Sequence, residues 1–133
     1  MTGWRAKAAE LLPELSAALH EGWSVHLFLW ELQDLLREAH RAKNLGVLRR
    51  GYCFADWCLN QPERFLANAA AVSFYEHIFD DWEMRHEVLP WLPAQAIEQV
   101  RPLWEWRLPA DRLLEVDRLV GGATQRNTQH PIG

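Results

Sequence analysis

Apolar residues over the first 80 positions recur at steps of three and four, the repeat of a helix that buries one face. Trp4, Ala8, Leu11, Leu12, Leu15, Ala18 and Leu19 keep this phase across Pro13, which falls on the outer face. The spacing therefore predicts a first helix kinked, rather than broken, at the proline. Gly22 is placed to end it, and Ser24 to cap the start of a second helix. The stripe of that second helix is Val25, Phe28, Leu29, Leu32, Leu35, Leu36 and Ala39, with Arg41 and Lys43 suited to its negative end. Leu27 and Trp30 fall off the stripe, so its first half is apolar on two sides and the helix is expected at the centre.

A third helix, Leu45 to Leu59, carries two seams: Leu45, Leu48, Tyr52, Ala55 and Leu59, then Val47, Phe54 and Cys58. Asn60-Gln61-Pro62-Glu63 reads as a stop followed by a start, because proline lacks a donor that the first turn does not use. The fourth helix is expected to run from there to at least Phe79. Beyond Glu87, Pro90, Pro93, Pro102 and Pro109 limit helices to short pieces such as Ala94 to Val100 and Ala110 to Val120. Strand-like alternation is confined to Leu103 to Leu108. The expected fold is all-α, an antiparallel four-helix bundle core with a proline-punctuated helical C-terminal half. Residues 1–120 form one helical domain on this reading, and residues 121–133, opened by Gly121-Gly122, a polar tail that is mobile or docks only on contact.

Composition narrows the class. A formal charge of -4 with no Lys/Arg-rich run argues against a nucleic-acid partner. No stretch reaches the ~20 apolar residues of a membrane helix, and the first residues lack an apolar signal region. The expected location is the cytoplasm. Cys53 and Cys58 lie about 140° apart on a helix, too divergent to bridge, and read as reduced core thiols.

The densest chemistry lies between Phe74 and Glu87. On one continuous helix Glu76, Asp80, Glu83 and Glu87 would form an acidic ridge beside Tyr75, Ile78 and Trp82. Asp80 and Glu83 also have capping-box spacing, which would divide the helix there. The unbroken steps from Phe65 through Ala69, Val72 and Glu76 to Glu87 favour continuity, with Glu76 partly buried. Glu83-x-x-His86 matches half of a carboxylate-bridged di-iron motif, but the second copy is missing. No cofactor or metal is therefore expected, and the metal alternative would draw on Glu76, His77, Glu83 and His86. Cys53 and Cys58 have no adjacent base, and no glycine-rich phosphate loop or nucleophile elbow occurs, so an enzyme is unsupported. Trp91, Trp104 and Trp106 lie in the proline-broken half, where core access is limited, and tryptophan is enriched at energetic hot spots of interfaces.

The segments Tyr52-Cys53-Phe54-Ala55-Asp56-Trp57-Cys58 and Asn68-Ala69-Ala70-Ala71-Val72-Ser73-Phe74-Tyr75-Glu76-His77-Ile78 resemble a family of small helical bacterial proteins without an assigned activity. The resemblance covers about a third of the chain and implies, for some members, an immunity role beside polymorphic toxins. The expectation is a protein-binding, immunity-type protein that occludes a basic toxin's active surface, using Glu76, Asp80, Glu83, Glu87, Trp91, Trp104 and Trp106. The alternatives are a small metal-dependent enzyme or metal carrier, and an adaptor or scaffold.

Overall fold

In the computed structural model, residues 3–19 and 23–129 are described, with side chains to Gly122. Helices α1 (Trp4–Leu11), α2 (Val25–Ala42), α3 (Leu45–Leu59), α4 (Arg64–Ser73), α5 (Arg85–Val88), α6 (Ala94–Arg107) and α7 (Ala110–Gln129) are joined by 3-10 turns at Pro13–Leu19, Tyr75–His77, Trp82–Met84 and Leu89–Trp91. The described residues contain no strand, so the chain is all-α.

Helices α2 and α3 follow their stripes closely. The Ser24 hydroxyl accepts from the Leu27 amide at 3.2 Å, and Asn44 caps α3 through Val47 in the same way. Lys43 takes the left-handed conformation at the end of α2, letting the Asn44 amide reach the Ala39 carbonyl at 2.8 Å. The two helices touch at Gly51, where an added Cβ would lie 2.5 Å from a Leu36 methyl. A larger residue would force the Leu36 side chain to shift. Both seams of α3 are buried except Leu45, and Phe54, fully buried, meets Phe28 edge-on at 5.3 Å.

Several expectations are corrected. The chain breaks at Pro13: α1 stops at Leu11, because the residue before a proline is forced out of helical geometry, and Leu12 has φ -131 and ψ 59. The Leu11 carbonyl accepts from Arg50 at 2.8 Å instead, and the same guanidinium holds Glu14 through both its oxygens. Leu27 and Trp30 are exposed rather than buried. Cys53 is also exposed, while Cys58 is buried and its thiol pushed up to about 12 by desolvation. Helix α6 runs on past Val100 through Pro102 to Arg107, so residues 103–107 are helical, not extended. Helix α7 continues through Gly121 and Gly122 to Gln129, well past the expected start of the tail. Residues 20–22, including the expected Gly22 stop, and residues 130–133 lie outside the described residues.

Candidate functional site

The fourth helix ends at Ser73, short of Phe79, and this dismantles the continuous acidic ridge. The carbonyls at and after its end are claimed by side chains from other helices. The Gln33 amide donates to the Ser73 carbonyl at 2.7 Å, and the Trp104 indole N–H donates to the Tyr75 carbonyl at 2.8 Å. Phe74 leaves helical geometry with φ -123 and ψ -66, and residues 75–91 proceed by short turns. Buried carbonyls need partners: the Tyr75 carbonyl also accepts from the Ile78 amide at 3.2 Å, and both it and the Ser73 carbonyl gain a side-chain donor from across the fold.

The carboxylates of the expected ridge therefore part company. Arg107 grips Asp80 with two hydrogen bonds of 3.0 Å, and His77 Nδ1 lies 2.9 Å from Asp80 Oδ2. Burial alone would raise the Asp80 carboxyl, but the Arg107 and His77 contacts outweigh it and hold it below the usual carboxylate range. Half-buried Glu76 lies 3.8 Å from the same guanidinium. Glu83 and Glu87 are exposed on the later turns. His86 turns toward Glu115 of α7, 4.0 Å away, and Arg85 is ion-paired with that carboxylate. Glu76, His77, Glu83 and His86 thus do not converge. Among the described residues no group of three or more His, Cys, Asp or Glu side chains is arranged to hold a metal ion.

The three tryptophans occupy different environments. Trp104 is a core residue, 0% exposed, edge-on to Phe79 at 4.9 Å, so its expected role as an accessible contact is corrected. Trp91 stacks on Tyr52 with centroids 5.7 Å apart and planes 11° from parallel. Trp106 is 91% exposed. The helix explains the contrast, since Ala96, Val100 and Trp104 share the inward stripe of α6 and Trp106 lies about 200° round from Trp104.

Trp106 extends a surface row that the sequence does not reveal. Gln99, Leu103 and Trp106 follow one edge of α6 at helical steps. Gln99, Pro102 and Leu103 face Arg64, Phe65, Ala67, Asn68, Ala71 and Val72 of α4 across an open groove of about 620 Å³. Phe65 is 54% exposed there, meeting the His26 ring edge-on at 6.1 Å between centroids, and Val72 is 37% exposed. Small Ala67 and Ala71 keep the floor shallow. By spacing Phe65 and Val72 belong to the same row as Glu76, but that row exists only as far as the helix does.

A second feature lies under the turns. His40, 5% exposed, hydrogen-bonds through Nε2 to the Tyr52 hydroxyl at 2.7 Å. With Gln33, Arg37, His77 and Asp81 the pair lines a half-enclosed cavity of about 40 Å³, room for about two or three waters. Burial lowers the His40 pKa, the nearby Glu87 carboxylate offsetting part of the effect, and raises that of Tyr52. No spacing marks His40 and Tyr52 as partners, since the contact is made by two helices crossing.

Residues 5–105 match the family model described as a domain of unknown function, DUF7674. No curated protein and no solved structure matches the chain.

Proposed function

The chain belongs to the DUF7674 family, a description that assigns no activity, and from the surface chemistry we propose that it is a protein-binding protein whose partner seats along the α4–α6 groove. The observation that carries this reading is Trp106, a 91% exposed indole one helical step beyond Leu103, which lines a groove edged by exposed Phe65 and Val72. Large apolar side chains held in water by a rigid helix are the usual anchors of protein interfaces. In its most concrete form the reading is an immunity-type role: the protein acts in the cytoplasm and occludes the active surface of a basic toxin. The net charge of -4 supports that choice of partner.

The acidic contribution is narrower than four carboxylates. Asp80 and Glu76 are engaged by Arg107, so steering falls to exposed Glu83 and Glu87. A metal-dependent reading gains nothing from the geometry, because His86 faces Glu115 rather than Glu76 or His77. An adaptor would use the same groove and differ only in its partner.

Binding kinetics against the product of the neighbouring gene test the proposal. Trp106→Ala is expected to speed dissociation at a cost of about 2 kcal/mol or more, with thermal stability unchanged. The double variant Glu83→Lys, Glu87→Lys should slow association and flatten its salt dependence. Unaltered rates in both variants would remove this surface as the interface.

A further inference from the structure

Residues 74–92 cross the face of α2 and α3 without a regular helix longer than four residues. Phe74, Tyr75, Phe79, Val88 and Leu92 anchor them in the core, and a few further contacts pin the turns between. Trp91 stacks on Tyr52, Asp81 lies 3.8 Å from Arg37, Asp80 is gripped by Arg107, and the Tyr75 carbonyl takes the Trp104 indole N–H. Beneath the crossing sits His40, hydrogen-bonded to the same Tyr52 that carries Trp91, at the edge of the small cavity that polar and apolar side chains line together.

We propose that residues 74–92 form a pH-sensitive strap, closed while His40 is neutral and released when His40 takes up a proton. A neutral imidazole bonded to the Tyr52 hydroxyl through Nε2 has one ring nitrogen left to satisfy and no charge to hydrate, so the closed strap can cover it. An imidazolium needs more. The groups facing it are Arg37 from its own helix, Tyr52 from α3, and His77, Asp81 and Glu87 from the strap. The Arg37 guanidinium repels it. Asp81 is shared with Arg37, and exposed Glu87 compensates only in part for lost hydration. Opening the strap admits water to the charge.

The sign follows from linkage. Closed, His40 binds its proton less readily than the ordinary imidazole with pKa of about 6.5, so the open form carries more protons as pH falls below that value. Acid therefore favours opening, by up to about tenfold for each unit separating the two pKa values.

Amide hydrogen exchange of the full chain, corrected for intrinsic rates, tests this. Between pH 7.5 and 5, protection over 75–91 is expected to fall several-fold while protection in α3 holds. In His40→Gln, which can still hydrogen-bond Tyr52 but cannot titrate, the fall should vanish. An equal fall in that variant would overturn the proposal. In the wild-type protein an NMR titration probes the same coupling without mutation: His40 should titrate below the ordinary imidazole value and shift the Trp91 indole as it does. Titration at or above that value, or without a change at Trp91, would also overturn it.

Discussion

Helices α2 and α3 and the segment from Phe74 to Leu92 both bury large aromatic rings, yet they are held by different physics. In α2 and α3 the main-chain bonds are local, the caps come from the chain itself, and apolar side chains meet because the helical repeat already aligns them. Between Phe74 and Leu92 the backbone turns through short pieces, and other elements supply tethers: Gln33 and Trp104 for its carbonyls, Tyr52 for Trp91, Arg107 for Asp80. Damage to the first region should spread through the whole molecule. Damage to the second should stay local and graded, because each tether acts separately.

The sharpest break of this contrast is Phe54→Ala. Phe54 is fully buried against Phe28 and Trp57, and its loss is expected to cost about 3–5 kcal/mol, read as one cooperative shift of the denaturant midpoint. A variant that loosened only one segment would show that α2 and α3 are not the cooperative unit. Trp104→Phe keeps a ring but removes the donor to the Tyr75 carbonyl. It should cost about 1–3 kcal/mol and reduce exchange protection first over 75–91. Uniform loss across all helices would merge the two regions.

Arg107→Gln tests the weakest tether. The ion pair with Asp80 is exposed, so its loss should cost no more than about 1 kcal/mol, and less at high salt. The Asp80 carboxyl, held low by Arg107, should then titrate at higher pH. In the wild type this pairing stabilises the fold above the ordinary carboxylate range and fades as pH falls through the depressed value. A Tm change independent of salt would point to packing instead. Smallest of all is Tyr75→Phe. The Tyr75 hydroxyl is buried with no hydrogen-bond partner among the described residues, so its removal should leave stability unchanged or raise it slightly. A clear loss on thermal unfolding would reveal a partner for that hydroxyl.

The bounds of α3 and the capped start of α2 are legible because their signals are local: a capping side chain three residues from its amide, and apolar positions at steps of three and four. Where spacing misleads, the deciding group is distant in sequence. Phe65, Val72 and Glu76 do keep helical spacing, but the helix ends at Ser73, whose carbonyl takes the Gln33 amide, and the Trp104 indole bonds the Tyr75 carbonyl in the tight turn that follows. Leu27 and Trp30 form a second apolar face that no helix covers, which periodicity cannot distinguish from a buried one. At the candidate site, sequence singles out Trp106 without its exposure, assigns Trp104 wrongly to the surface, and does not pair the two walls of the groove.

The sequence by itself determined the all-α class, the principal helices and the acidic balance, because these depend on helical periodicity, capping chemistry and a sum of charges. Tertiary structure alone decided which carboxylates remain exposed, which indole reaches solvent, and that His40 and Tyr52 meet beneath residues 74–92. Each of those outcomes is a competition between groups distant in the chain for one partner or one buried volume, and its result depends on where the helices cross.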